Sequence, residues 1–299
     1  MKKNKILYQN KKYQIKLDKK YNYYHIFPVP AKKELDEYYE REFYNKNYSK
    51  QINDSSRKVQ QKEEEFINMQ YDDILEIIKE RAPGKKIIDI GCGYGNFMKF
   101  CQKRGFQTFG LDPSDDAVDY AKQNGLKAEK TDIENFKGLV KEKYHAAVML
   151  NVFEHLRKPY KILEDIRDNI LVKRGLLIIR APNEFNKLQL IANEKYNLKK
   201  WWVAIPQHIN YFTIEHLEGL IKRHGFEVFL KESTFPLEMF ILFGDQYVGN
   251  AKLGKMVHEK RVLLEKTLKK YDNNYKRQMY QKFAEIGLGR EVVIYARKK

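Results

Sequence analysis

Three glycines at alternate positions, Gly91, Gly93 and Gly95, and two later carboxylates, Asp112 and Asp132, are the residues of this 299-residue chain best suited to hold a nucleotide. Glycine accepts positive φ and carries no Cβ, so such a loop turns sharply and lets a ligand lie against its backbone. A dinucleotide fingerprint, Gly-x-Gly-x-x-Gly, would place a third glycine at Asn96. The spacing here is instead Asp89-x-Gly-x-Gly-x-Gly95, and its ligand need carry no phosphate. Asp112 lies at the distance where a ribose-binding acid is expected. Two histidines, His155 and His208, follow predicted strands and could move a proton.

Those residues need elements to position them. Ile87, Ile88 and Ile90 form a β-branched run with no amphipathic period, which suits a strand buried on both faces of a parallel sheet. Asn96 to Arg104 reads as the helix after the glycine loop. Two further strands, 106–112 and 127–133, end at the acids. Residues 1–56 read as a cap: a hairpin of short strands broken at Pro28 and Pro30, then a helix over about 31–45. A second helix over 58–82 shows an apolar stripe of Phe66, Met69, Ile74, Ile77 and Ile78. The remainder, 57–299, holds an α/β core at 83–234, a helical insertion at 236–284 and a final strand at 290–298.

In these motifs the sequence resembles the class I S-adenosylmethionine-dependent methyltransferases, from about Lys85 to the C-terminus. Asp89-Ile-Gly-Cys-Gly-Tyr-Gly95 is similar to the first motif, implying that Asp89, Gly91, Cys92, Gly93 and Gly95 wrap the methionine part of the cofactor. Gly110-Leu-Asp-Pro-Ser114 resembles the second, with Asp112 and Pro113 at the ribose. Asp132 and Ile133 match the adenine-contacting pair. Tyr144–Leu156 and Gly175–Asn183 match the fourth and fifth strands with their loops, and Asn151 would face the methionine end. The segment Gln207–Thr213, followed by a helix and Gly225–Val228, is similar to the subgroup containing ubiquinone-pathway O-methyltransferases and sugar and natural-product enzymes. The resemblance implies a Rossmann-like seven-stranded sheet, its last strand antiparallel, with helices on both faces. It also exposes a departure. The run Glu-x-x-Glu-His that binds a divalent cation in ubiquinone-pathway enzymes begins here with Asn151, and losing one carboxylate weakens a hard-cation site. No metal is expected, and the cofactor is S-adenosyl-L-methionine.

A sulfonium is already an excellent leaving group, so the protein must hold an acceptor in line, exclude water and, for a hydroxyl, remove a proton. Positioning can supply about 7–11 kcal/mol and a general base about 10²–10⁴-fold. His208, in Pro206-Gln-His-Ile-Asn-Tyr211, is the first candidate base and His155 the second. The plain alternative for each is a histidine hydrogen-bonded to backbone. Candidate lid or acceptor-contacting residues are Tyr44, Tyr48, Trp201, Trp202 and Tyr211, against ordinary packing between cap and core.

The formal charge of +17 is concentrated at the ends, with +7 from residues 1–50 and +9 from 250–299. It suits either an anionic acceptor or a compositional bias toward lysine; the scarcity of Arg, the residue favoured for bidentate phosphate recognition, argues against nucleic acid. Two cysteines imply neither disulfides nor zinc, and no apolar run reaches membrane-spanning length, which together predict a soluble cytoplasmic protein. The expected activity is O-methylation of a small-molecule or glycan- or lipid-linked hydroxyl. Rival readings are an RNA methyltransferase, a non-catalytic cofactor-binding relative and an NAD-dependent dehydrogenase. An amino-methylating tetrad of the Asn-Pro-Pro-Tyr kind is absent. The oligomeric state is not legible.

Overall fold

The structure, a computed structural model, describes residues 6–35, 37, 63–136 and 138–299. Among these the strands are β1 (Ile6–Gln9), β2 (Gln14–Asp18), β3 (Tyr23–Phe27), β4 (Lys86–Ile90), β5 (Gln107–Asp112), β6 (Ala128–Lys130), β7 (Tyr144–Leu150), β8 (Leu171–Pro182), β9 (Asn210–Tyr211), β10 (Phe226–Ser233) and β11 (Glu291–Lys298). The helices are α1 (Glu64–Arg81), α2 (Asn96–Gln102), α3 (Asp115–Gln123), α4 (Pro159–Asp165), α5 (Lys187–Tyr196), α6 (Ile214–Arg223), α7 (Glu238–Leu242) and α8 (Ala251–Glu285).

Seven strands form one sheet in the order β10-β11-β8-β7-β4-β5-β6. β11 lies antiparallel between β8 and β10, with Ile294 opposite Ile179 on one side and Lys231 on the other. The isoleucines of β4 explain why this strand is central. Ile87 packs with Ile74 and Ile78 of α1, whereas Ile88 and Ile90 belong to the opposite core with Ile162 of α4 and Leu217 of α6. All three are fully buried, as an unalternating apolar strand between two helical layers must be.

The N-terminal strands do not form a free-standing cap. β1, β2 and β3 make an antiparallel sheet whose fourth strand, β9, comes from the core segment after β8, with Tyr24 opposite Tyr211. The chain continues along the core. Arg157 Nε donates to Pro30 O at 3.0 Å, Tyr21 stacks on Tyr160 with ring centroids 4.2 Å apart, and Lys32 reaches Asp132. Residues 32–35 are helical, and the rest of the helix expected at 31–45 lies outside the described residues apart from residue 37, also helical.

The helical insertion comprises α7 and the long polar helix α8. That helix departs from helical dihedrals at Asp272 and docks along α1 through charged groups: Lys276 Nζ lies 2.6 Å from Asp73, and Lys269 bridges Asp72 and Asp73. Lys276 is only 1% exposed, and the pair borders a small cavity of about 40 Å³. Among the described residues, no helix is long and apolar enough to cross a membrane.

Candidate functional site

The turn from β4 into α2 is stitched to β5, Gly91 N and Cys92 N both donating to Leu111 O at 2.7 and 3.0 Å. Gly91 has φ +80°, and a Cβ there would lie 2.3 Å from Val152, so this glycine lets the loop pack on the segment after β7. Gly93, at φ +51°, has open space where a Cβ would point. The loop therefore has a closed side and an accessible side, and a ligand can lie against the latter.

Asp112 closes the cradle. Its Oδ2 accepts from Gly93 N at 2.7 Å and its Oδ1 from Ser114 N at 2.9 Å. A carboxylate offers about four lone-pair sites, so capacity for two hydroxyl donors remains. Burial pushes this carboxyl up, opposed by those two amides. Asp89 lies buried in β4, and burial, then the Asp112 charge, raises it to about 7. Cys92 is buried and its thiol is pushed well up by burial, which leaves it without thiolate character. Pro113 is exposed beside Asp112, and Ile133 is buried next to Asp132. Asp132 accepts from Glu134 N, Asn135 Nδ2 and Lys32 Nζ, the last at 2.5 Å. Burial raises Asp132, but these donors outweigh it and hold the carboxyl below its ordinary range.

Beyond β7 the two histidines come together, their ring centroids 5.2 Å apart. Asn210 builds this arrangement: fully buried at the start of β9, it donates to the carbonyls of Phe153, Glu154 and Leu156 and so clamps the turn that carries His155. Ile209 N adds a bond to Glu154 O at 2.9 Å. His155 Nδ1 faces Gln207 O at 2.7 Å, and burial lowers this imidazole to about 4. His208 Nδ1 instead meets Glu184 Oε1 at 2.9 Å. Burial lowers His208, but the Glu184 carboxylate more than offsets it, and the net direction is upward. Glu154, 1% exposed, is raised by burial to about 8.

Among the described residues, three buried polar atoms in this region, Glu154 Oε2, Glu184 Oε2 and Trp202 Nε1, have no hydrogen-bond partner. Unsatisfied buried groups are rare in a folded protein and call for a bound molecule or water. Trp202 and Tyr211 pack with Phe185 in the core of the small sheet, the position of a fixed wall, while Trp201 sits edge-on to Trp202 and is half-buried. Tyr44 and Tyr48 lie outside the described residues. Glu184 was not singled out by sequence reasoning; an acid just beyond the C-terminal end of β8, where ligands bind in such sheets, is the signal that marks it.

Asn151 directly follows β7. It is exposed, adopts φ +58°, and donates through Nδ2 to Glu291 Oε1 at 3.1 Å. Glu154, His155 and His208 do offer donor atoms within 4.8 Å of one another. This set contains one carboxyl and two imidazoles. It does not fit the oxygen-rich cage a hard divalent cation requires.

A profile described as a methyltransferase domain matches residues 60–231. The ubiquinone biosynthesis O-methyltransferase of Actinobacillus pleuropneumoniae serotype 7 (strain AP76) is 29% identical over 140 residues, 42% of this chain and 59% of its own. The tRNA N(3)-methylcytidine methyltransferase trm140 of Schizosaccharomyces pombe is 32% identical over 108 residues, 34% of this chain and 32% of its own. The chain thus spans about half the length of the curated ubiquinone-pathway relatives it matches. In fold it is similar to the plantazolicin methyltransferase BpumL, solved with S-adenosylhomocysteine: TM-score 0.51 at 16% identity, over 87% of this chain and 93% of that one.

Proposed function

Because the chain belongs to the S-adenosylmethionine-dependent methyltransferase-domain family, we propose that it methylates a hydroxyl on a small-molecule or glycan- or lipid-linked acceptor, with His208 as general base. When bound, S-adenosylmethionine supplies a methyl group on a sulfonium that needs no activation by the protein. The accessible side of Gly93 and the spare capacity of Asp112 support their holding its ribose and methionine portions, with Asp132 and Ile133 at the adenine. His208 would accept the hydroxyl proton, and the Trp202 and Tyr211 wall would keep water away.

The observation that carries this reading is the largely buried contact of 2.9 Å between Glu184 Oε1 and His208 Nδ1. A histidine paired with a carboxylate can take a proton and hold the resulting charge, and such a base contributes about 10²–10⁴-fold. His155, held neutral by burial, is the poorer base at neutral pH. No metal takes part in this scheme. The test is methyl transfer from labelled cofactor to a panel of sugar, phenol and lipid acceptors. His208→Ala should lose turnover by about 10²–10⁴-fold while S-adenosylhomocysteine affinity stays close to that of the parent. Normal turnover in that variant would place the base elsewhere.

A second reading, transfer to RNA, takes support from the likeness to the tRNA-methylating trm140. The enclosure of His208, with its side chain 18% exposed, speaks for a smaller acceptor. Labelled transfer to total tRNA, absent with the small-molecule panel, would favour RNA.

A further inference from the structure

We propose that Glu184 is a positioning residue for His208, fixing the imidazole with its proton on Nδ1 so that Nε2 is the nitrogen that meets the acceptor. The proposal rests on the reading of His208 as the base and adds to it a second residue that touches neither cofactor nor acceptor. The contact is a short, buried one: Nδ1 to Oε1 is 2.9 Å and the Glu184 side chain is 4% exposed. The backbone around Glu184 is fixed from three sides. Glu184 N donates to Phe212 O at 2.8 Å. Asn183 spans the carbonyls of Gly287 and Gly289 and accepts from Ile214 N. Phe185, next along, adopts φ +58°, a conformation that persists only where its surroundings over-determine it.

The groups facing His208 are Glu184 at the end of β8, Glu154 and His155 after β7, and Tyr211 of β9. His155 supplies the contrast. Its Nδ1 is oriented by a neutral carbonyl, that of Gln207, and its nearest carboxyl oxygen, Glu154 Oε1, lies 3.8 Å from Nε2, whereas the Glu184 carboxyl meets His208 at Nδ1. As the acceptor oxygen forms its new bond to the methyl carbon, its O–H bond breaks and the proton passes to Nε2. The imidazolium that results lies against the Glu184 carboxylate until solvent takes the proton.

The experiment uses the full chain with ¹⁵N-histidine and saturating S-adenosylhomocysteine, reading tautomer and titration from long-range ¹H–¹⁵N spectra. His208→Gln assigns the signal. The expected result is an Nδ1-protonated neutral ring whose midpoint falls by a full pH unit or more in Glu184→Gln and recovers partly in Glu184→Asp. An Nε2-protonated ring, or a midpoint unmoved in Glu184→Gln, would overturn the proposal. The tautomer is read in the parent protein, so the proposal can still be refuted if Glu184→Gln does not fold. If tautomer and shift are as expected but His208→Ala methylates normally, the pairing stands and the base assignment is what fails.

Discussion

At the scale of single residues, burial acts on the site in opposite senses. His208 is raised because Glu184 outweighs the loss of water, so turnover should rise with pH through a midpoint above the ordinary 6.5. Removing the Glu184 charge should move that limb to lower pH, which a pH–rate profile will show. Glu154 makes a separate prediction, in stability. Its folded-state value near 8 exceeds the ordinary 4.5, so the native chain keeps a proton that the unfolded chain releases. That contribution is fully present below about pH 4.5 and is lost as pH rises toward about 8, at up to about 1.4 kcal/mol per unit. Glu154→Gln should flatten the dependence of Tm on pH across this window; an unchanged slope would mean Glu154 is ionised in the native state. The strand-to-turn geometry at the glycine loop and at Asp112 was legible because it is a local pattern. Glu184 was not, because what identifies it is a partner 24 residues later in the chain.

At the scale of elements, α8 is the informative case. Its polar sequence reads as a solvated helix, and its existence was legible. What the pattern could not show is that Lys276, Arg261 and Glu265 are buried, since their partners lie on the same helix or on α1, some 200 residues earlier. Removing one member of a buried ion pair leaves the other uncompensated, at a cost of about 3–5 kcal/mol. Lys276→Ala should therefore destabilise the chain by that amount in urea unfolding, while Lys276→Met with Asp73→Asn should recover much of it. A Lys276→Ala effect below about 1 kcal/mol, the range of exposed pairs, would show that water reaches the site. The small N-terminal sheet carries a related lesson. Three strands were readable from their β-branched and aromatic runs, but β9 contributes two residues, too short for any periodic signal, and it joins the cap to the segment bearing His208.

At the scale of the molecule, the order β10-β11-β8-β7-β4-β5-β6 places the glycine loop after β4 and the turn bearing His155 after β7, at the C-terminal ends of adjacent strands. The proposed reaction requires these two ends to serve one site, with cofactor at the first and proton acceptor at the second. With an amide, Asn151, hydrogen-bonded to Glu291 where a cation site would need a carboxylate, methyl transfer should survive EDTA, and magnesium should leave Tm unchanged. Loss of turnover on chelation, restored by magnesium, would contradict this. The most direct test of the account is a crystal structure with S-adenosylhomocysteine. The account predicts ribose hydroxyls on Asp112, adenine beside Asp132 and Ile133, and the sulfur opening toward His208 across a space that one acceptor can fill. A sulfur directed away from His208, or walled off from it by Phe153 and Glu154, would contradict the central claim.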